Sequence, residues 1–186
     1  HLQNLADAGF KEIIINTAWL ADKIHKQLGD GVSYGVSITY SDEGTALETA
    51  GGIINALPLL GEDPFLVVNG DIWSDFDFST LPRSTGQTQA HLILVKNPEH
   101  NEKGDFSLEK GFIQNSGDIM YTYSGIGIFR PDFFAGQQPG SSALAPLLRQ
   151  RCESKLVSGQ FYEGLWTDVG TISRLRELEE QLQAKE

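Results

Sequence analysis

The first third of the chain alternates between two hydrophobic periods. Leu2, Leu5 and Ala6 recur at helical spacing and stop at Gly9, where a helix would end. Glu12 to Asn16 is apolar and β-branched and reads as a strand. Helical spacing returns over Leu20 to Leu28, with Ile24 and Leu28 on one face. A strand near Val36 to Tyr40, a helix over Thr49 to Leu57 and a strand over Phe65 to Asn69 follow. Strands that alternate with helices imply βαβ units, parallel pairing and right-handed crossovers.

The second half is richer in short strands. Ala90 to Val95 and Gly125 to Phe129 read as strands, the latter ended by Pro131. Phe106 to Leu108, Phe112 to Gln114 and Met120 to Thr122 are short apolar pieces joined by Lys110-Gly111 and Ser116-Gly117 turns. Leu144, Leu147 and Leu148 mark a helix running to about Cys152, with short strands at Leu156 to Val157 and Phe161 to Tyr162 beyond it. Thr171 fits an N-cap for a last helix carrying Ile172, Leu175, Leu178 and Leu182. The pattern predicts an α/β fold with a Rossmann-like mixed, mostly parallel sheet flanked by helices, and a small β-rich lobe. With no repeat, low-complexity tract or inter-domain linker, residues 1–186 read as a single domain.

Composition narrows the choice of partners. Hydrophobic residues make up 40% of 186, enough for a proper core. A formal net charge of -11 argues against gripping nucleic acid or an anionic membrane. A nucleotide remains a fitting ligand if a metal and local cations offset its phosphates. Cys152 is the one cysteine, so no internal disulfide forms; this fits a reducing, cytoplasmic setting. No apolar run is long enough to span a bilayer, and the polar start lacks a signal-peptide pattern. Opening at His1 inside a helical pattern, the sequence carries the expectation of a further segment upstream.

Several residues are candidates for chemistry. Phe65 to Val68 run straight into Asn69-Gly70-Asp71, so a buried strand delivers a carboxylate at its C-terminal tip, where open α/β sheets bind ligands. The alternative is a turn chosen for backbone freedom. Asp168, in Trp166-Thr167-Asp168-Val169-Gly170, precedes the last helix by too many residues for a plain N-cap. Brought together, Asp71 and Asp168 would hold one hard divalent cation, and the cation would hold phosphates. Asp75 and Asp77 form an Asp-x-Asp that suggests a metal-dependent glycosyltransferase or a solvated loop. Glu48-Thr49-Ala50-Gly51-Gly52 enters a helix: either a ligand approaches its backbone, or the glycines pack on the sheet. Gly125 and Gly127 likewise mark a close approach by a ligand or by the protein itself. His1, His25, His91 and His100 have no metal-ligand spacing and receive no chemical role, and Cys152 has no nearby histidine.

Taken in order, these motifs resemble the sugar-1-phosphate nucleotidylyltransferases over nearly the whole chain. Ala8-Gly9-Phe10 with Ile13-Ile14-Ile15-Asn16 is similar to that family's first helix and second strand. Glu48 to Gly52 is similar to its base- and ribose-contacting loop, Asn69-Gly70-Asp71 to its metal strand, and Trp166 to Thr171 to its second metal site. Within the family, Asn69 to Phe78, Asn97-Pro98, Lys103-Gly104-Asp105-Phe106 and Tyr123 to Gly127 resemble N-acetylmuramate-1-phosphate uridylyltransferases of cell-wall recycling, with mannose-1-phosphate guanylyltransferases as near rivals. The family's Gly-rich signature loop with its Arg, and the Pro-Lys after it, would lie upstream of His1.

The resemblance implies a reaction between a nucleoside triphosphate and a sugar 1-phosphate that releases pyrophosphate, with UTP and N-acetylmuramate 1-phosphate as the expected pair. It implies Mg²⁺ as cofactor, held by Asp71 and Asp168. It further implies nucleotide contacts from Glu48, Thr49, Ala50, Gly51, Gly52 and Asn69, and sugar contacts from Gly125 and Glu163. A nucleotide-sugar-binding module that has lost the catalytic loop is the alternative from another functional class.

Overall fold

The structure is a computed structural model and describes residues 1–183. In chain order the elements are α1 (Leu2–Asp7), β1 (Glu12–Thr17), α2 (Ala21–Leu28), β2 (Ser37–Asp42), α3 (Glu48–Leu60), β3 (Phe65–Val68), β4 (Ile72–Ser74) and β5 (Ala90–Val95). There follow β6 (Ser107–Glu109), β7 (Phe112–Gln114), β8 (Thr122–Phe129), α4 (Leu144–Glu153), β9 (Val157–Phe161), β10 (Trp166–Asp168) and α5 (Ile172–Gln183). The chain divides into two compact units. The first comprises His1–Phe65, Asp77–Ser84 and Arg130–Ser154; the second comprises Leu66–Phe76, Thr85–Phe129 and the chain from Lys155.

The first unit contains the βαβ pattern. β1 and β2 pair in parallel, from Glu12 opposite Ser37 to Thr17 opposite Asp42. Ala6, Val36 and Ile38 form a buried cluster, joined by Leu2, Ile13, Ile15, Leu28, Tyr34 and Tyr40. α3 packs on β1 through buried Ala50, Ile53 and Ala56. At the strand ends, Thr17 donates its hydroxyl to Asp42, and His25 Nε2 lies 3.1 Å from the same carboxylate. The His25 ring lies against Tyr40 with centroids 3.9 Å apart.

The second unit holds a six-stranded sheet in the order β3-β8-β5-β9-β7-β6. β5 is antiparallel to β8 and parallel to β9; β7 is antiparallel to both β9 and β6. Leu92, Ile93, Leu94, Ile113, Ile126 and Val157 are buried in it. A separate antiparallel pair joins β4 to β10, with Asp168 opposite Ile72 and Trp166 opposite Ser74.

The mixed α/β architecture is the expected one, and four local features differ from expectation. The two pieces expected around 120–122 and 125–129 join into one strand, β8. Its register against β5 shifts between Leu92 and Leu94, and Gly125 takes a left-handed φ of 80°. Such a bulge interrupts the alternation that marks a strand. β9 likewise joins two pieces expected to be separate. α3 continues through Pro58 to Leu60. β4 and β10 are three-residue strands with no local pattern; long-range pairing makes them.

Candidate active site

β3 runs as four half-buried apolar residues, Phe65–Val68, into Asn69-Gly70-Asp71. Asp71 therefore lies in the turn three residues beyond β3, and β4 begins at the next residue. β10 lies antiparallel to β4, and Val169 N–H donates to the Asp71 carbonyl at 2.7 Å. The pairing sets the two aspartates side by side, although they lie far apart in sequence. A Cβ placed on Gly170 would be 3.7 Å from Asp168 Oδ1 and 3.9 Å from Asp71 Oδ2. The two oxygens thus face one point, and their separation is at most the sum of those distances.

Asp168 is the more enclosed of the two, with its side chain 18% exposed. Arg174 Nη1 pairs with Oδ1, and His100 Nε2 lies 2.5 Å from Oδ2. Arg174 Nη1 also lies within 3.1 to 3.2 Å of the His100 ring nitrogens. Thr171 Oγ1 accepts from the backbone N–H and Nε of Arg174, each at 3.3 Å. Thr171 thus caps α5 while aiming its first turn at Asp168.

His100 is held in place by the loop that follows β5. Asn97 donates to the Glu102 and Met120 carbonyls at 3.0 Å and accepts from Thr122 at 3.0 Å. Asn101 donates to Asp105 at 3.1 Å, and Asp105 accepts from Tyr123 N–H at 2.9 Å. Gly104 sits at φ 65°, where a Cβ would come within 2.9 Å of Tyr121 backbone atoms. The Asn97-Pro98 and Gly104-Asp105 pieces of the sequence pattern therefore serve to fix the loop that carries His100.

These groups border an open cleft of about 350 Å³, with Asn69, Asp71, His100, Gly125, Trp166 and Asp168 among its walls. Trp166 is locked there by its Nε1–H donating to the Ser124 carbonyl at 2.8 Å. A Cβ on Gly125 would come within 2.8 Å of the Asn69 amide, so that space is filled by Asn69. Gly127 faces Leu92 and Phe129, which is packing within the sheet.

The other candidate residues lie elsewhere. Glu163 is exposed on the turn before β10. Its neighbour Tyr162 donates to Asp75, which also accepts from Leu165 N–H at 2.8 Å. Asp77 accepts from Ser79 N–H at 2.9 Å, which lowers its pKa, and so caps a single helical turn. Asp77 is thus engaged by a local cap, and Asp75 by the distant turn before β10. Glu48, Thr49, Ala50, Gly51 and Gly52 form the first turn of α3, in the first unit. Gly51 N–H donates to the Ser142 carbonyl at 3.0 Å, and Ser142 N–H donates to the Leu47 carbonyl at 2.9 Å. A Cβ on Gly51 would meet the Gly140 carbonyl at 2.2 Å, and one on Gly52 would meet Glu43 at 2.5 Å. Gly51 is therefore required by the protein's own backbone packing, whereas Gly52 faces only side-chain ends. Cys152 is buried in α4, where burial pushes its thiol up to about 11, so it is inert.

The donor set at Asp71 and Asp168 suits a hard cation such as Mg²⁺, which takes one or two carboxylates from the protein and its other ligands from water and phosphates. Among the described residues no three His, Cys, Asp or Glu side chains cluster as a self-contained metal site. An ion at these carboxylates would therefore draw on oxygens from a substrate. Sequence reasoning missed His100 and Arg174. Their signals were weak: His100 lies between the Asn97-Pro98 and Lys103–Phe106 motifs but in neither, and Arg174 sits three residues after Thr171, on the same face of α5.

An apolar strand that runs into Asp71 and a second aspartate beside it, in a mixed α/β chain, suit a nucleotidyltransferase. Residues 1–107 match the nucleotidyl transferase family, and the chain belongs to that family. It is 52% identical to N-acetylmuramate alpha-1-phosphate uridylyltransferase of Neisseria meningitidis serogroup B, over 95% of this chain and 80% of that protein. It is 31% identical to the protein of the same name in Caulobacter vibrioides, over 91% of this chain and 76% of that one. A mannose-1-phosphate guanylyltransferase of Mycobacterium tuberculosis shares 35% identity over 43% of this chain and 22% of its own length. The fold also matches the inositol-1-phosphate CTP transferase of T. maritima, with a TM-score of 0.75, 15% identity, and coverage of 99% of this chain and 80% of that one. Among the described residues no helix is long and apolar enough to cross a membrane.

Proposed function

We propose that this protein transfers a uridylyl group from UTP to N-acetylmuramate 1-phosphate, releasing pyrophosphate. The observation that carries the reading is the convergence of Asp71 and Asp168 about Gly170 on one wall of a cleft. The choice of UTP and the muramate rests on the 52% identity to the Neisseria enzyme.

In this reaction an oxygen of the sugar phosphate forms a bond to the α-phosphorus. The bond from the α-phosphorus to the bridging oxygen breaks in line, and pyrophosphate leaves with that oxygen. Positioning and charge neutralisation supply most of the rate enhancement in such transfers. Asp71 and Asp168 would hold Mg²⁺; when bound, the cation would neutralise phosphate charge and orient the oxygens that ligate it. Thr49, Ala50, Gly51 and Gly52 with Glu48 are assigned to the base and ribose, together with Asn69. Gly125 and Glu163 are assigned to the sugar, with the Asn69 amide that covers Gly125 as the group a ligand there would meet. A nucleoside-triphosphate substrate and a recycled wall sugar fit a cytoplasmic role.

The test is a pyrophosphate-release assay that crosses UTP, GTP and dTTP with muramate, mannose and glucose 1-phosphates. Release with UTP and N-acetylmuramate 1-phosphate well above every other pair is the expected result. A preference for GTP with mannose 1-phosphate would instead support the guanylyltransferase reading, which the Mycobacterium relative favours. Nucleotide-sugar binding without pyrophosphate from any pair would point to a binding module.

A further inference from the structure

We infer that Arg174 is an internal competitor of the divalent cation for Asp168, so that the cation binds by displacing a guanidinium. The inference rests on the reading of Asp71 and Asp168 as cation ligands.

Both oxygens of Asp168 are already engaged, Oδ1 by Arg174 Nη1 and Oδ2 by His100 Nε2. A cation ligated by this carboxylate needs at least one of them. Arg174 is the group in its way, because Oδ1 is the oxygen near the Gly170 position that Asp71 also faces. Arg174 Nη2 lies 3.3 Å from that same position, so a positive charge already stands beside the carboxylates. The pair is partly withdrawn from water, with side chains 27% and 18% exposed, and its attraction is stronger than that of a solvated surface pair. The guanidinium need not leave the site when displaced: Thr171 Oγ1 holds its Nε at the base of the fork. Arg174 is thus a positioning residue. It keeps Asp168 neutralised and oriented until the cation arrives, and it weakens cation binding by the amount of the interaction it gives up.

Mn²⁺ titration followed by electron paramagnetic resonance tests this without reference to turnover. Wild type, R174Q, R174K and D168N are compared after circular dichroism confirms their folds. R174Q is expected to bind Mn²⁺ about tenfold more tightly than wild type, which corresponds to about 1.4 kcal/mol of competition removed. R174K, which retains a competing charge, is expected to stay near wild type, and D168N to lose the site. Unchanged or weaker binding in R174Q, with D168N still defective, overturns the inference and leaves the cation reading standing. Binding that D168N does not alter overturns both. Should R174Q fail to fold, the wild-type protein serves: Mg²⁺ should shift the Arg174 Nε–H resonance with the midpoint of Mg²⁺ binding, and a resonance that stays put overturns the inference.

Discussion

Each unit holds an aspartate–histidine pair near a strand end, and the two pairs have different work. In the first unit His25 meets Asp42, whose side chain is 60% exposed. Thr17 holds the carboxylate, and Tyr40 backs the imidazole. All four groups come from α2 or the parallel pair β1/β2. Since α2 has no fully buried residue, these contacts serve to fasten it. In the second unit His100 meets Asp168 beside Arg174, with Asp71 across Gly170 and a cleft in front. An Asp–His contact is a fastener by default; a second carboxylate and an open cleft make this one a candidate site.

The sharpest way to break this contrast is to neutralise each aspartate in turn. D168N or D71A should lower pyrophosphate release by roughly a hundredfold or more, the scale on which one preorganised electrostatic contact matters. D42N should leave turnover close to wild type and be felt in the unfolding midpoint instead. Equal losses of turnover from D42N and D168N would erase the distinction.

Glycine substitutions probe the same contrast through stability. G125A places a Cβ at φ 80° and against the Asn69 amide, so strain and crowding combine, at a cost of about 2–4 kcal/mol. G52A meets only the side-chain ends of Glu43 and Asn16, which can swing aside, and should cost about 1 kcal/mol. Urea unfolding of both variants measures the difference; a larger loss in G52A would show that the first unit is the more tightly packed at these points.

The smallest effect concerns a histidine in the second unit that lies outside the site. His91 on β5 is held by Ser158 Oγ at 3.0 Å, and burial pushes its pKa below the ordinary histidine value. The unfolded chain takes up a proton at the ordinary value, near 6.5, while the folded chain resists it. Its stabilising contribution is therefore present above that pH and declines as the pH falls toward the folded pKa, by at most about 1.4 kcal/mol per pH unit. Urea midpoints between pH 5.5 and 7.5 should fall toward the acid end, and H91Q should flatten that slope.

Much of this molecule was legible along the chain. The helical spacing of Leu2, Leu5 and Ala6 and the apolar run of Phe65–Val68 each declare their element, because a buried face imposes its period on the sequence; the stripe in α5 declared its helix although only Leu178 of it is buried. Asp71 was legible for a related reason: it follows a run of apolar residues that only a largely buried strand accommodates. What escaped was whatever depends on distant partners. Nothing local marks Ile72–Ser74 or Trp166–Asp168 as strands. The bulge at Gly125 broke β8 into two apparent pieces. His100 sits in a loop whose shape comes from Asn97, Asn101 and Asp105 acting together.

By itself the sequence determined the alternating α/β plan and the apolar strand that presents Asp71, because periodicity and turn chemistry are local properties. Tertiary structure alone decided that Asp168 stands beside Asp71, that Arg174 and His100 occupy it, and that Asn69 covers Gly125. The first of these arises from β4 pairing with β10, nearly a hundred residues further on, and no period along the chain encodes which two segments will meet.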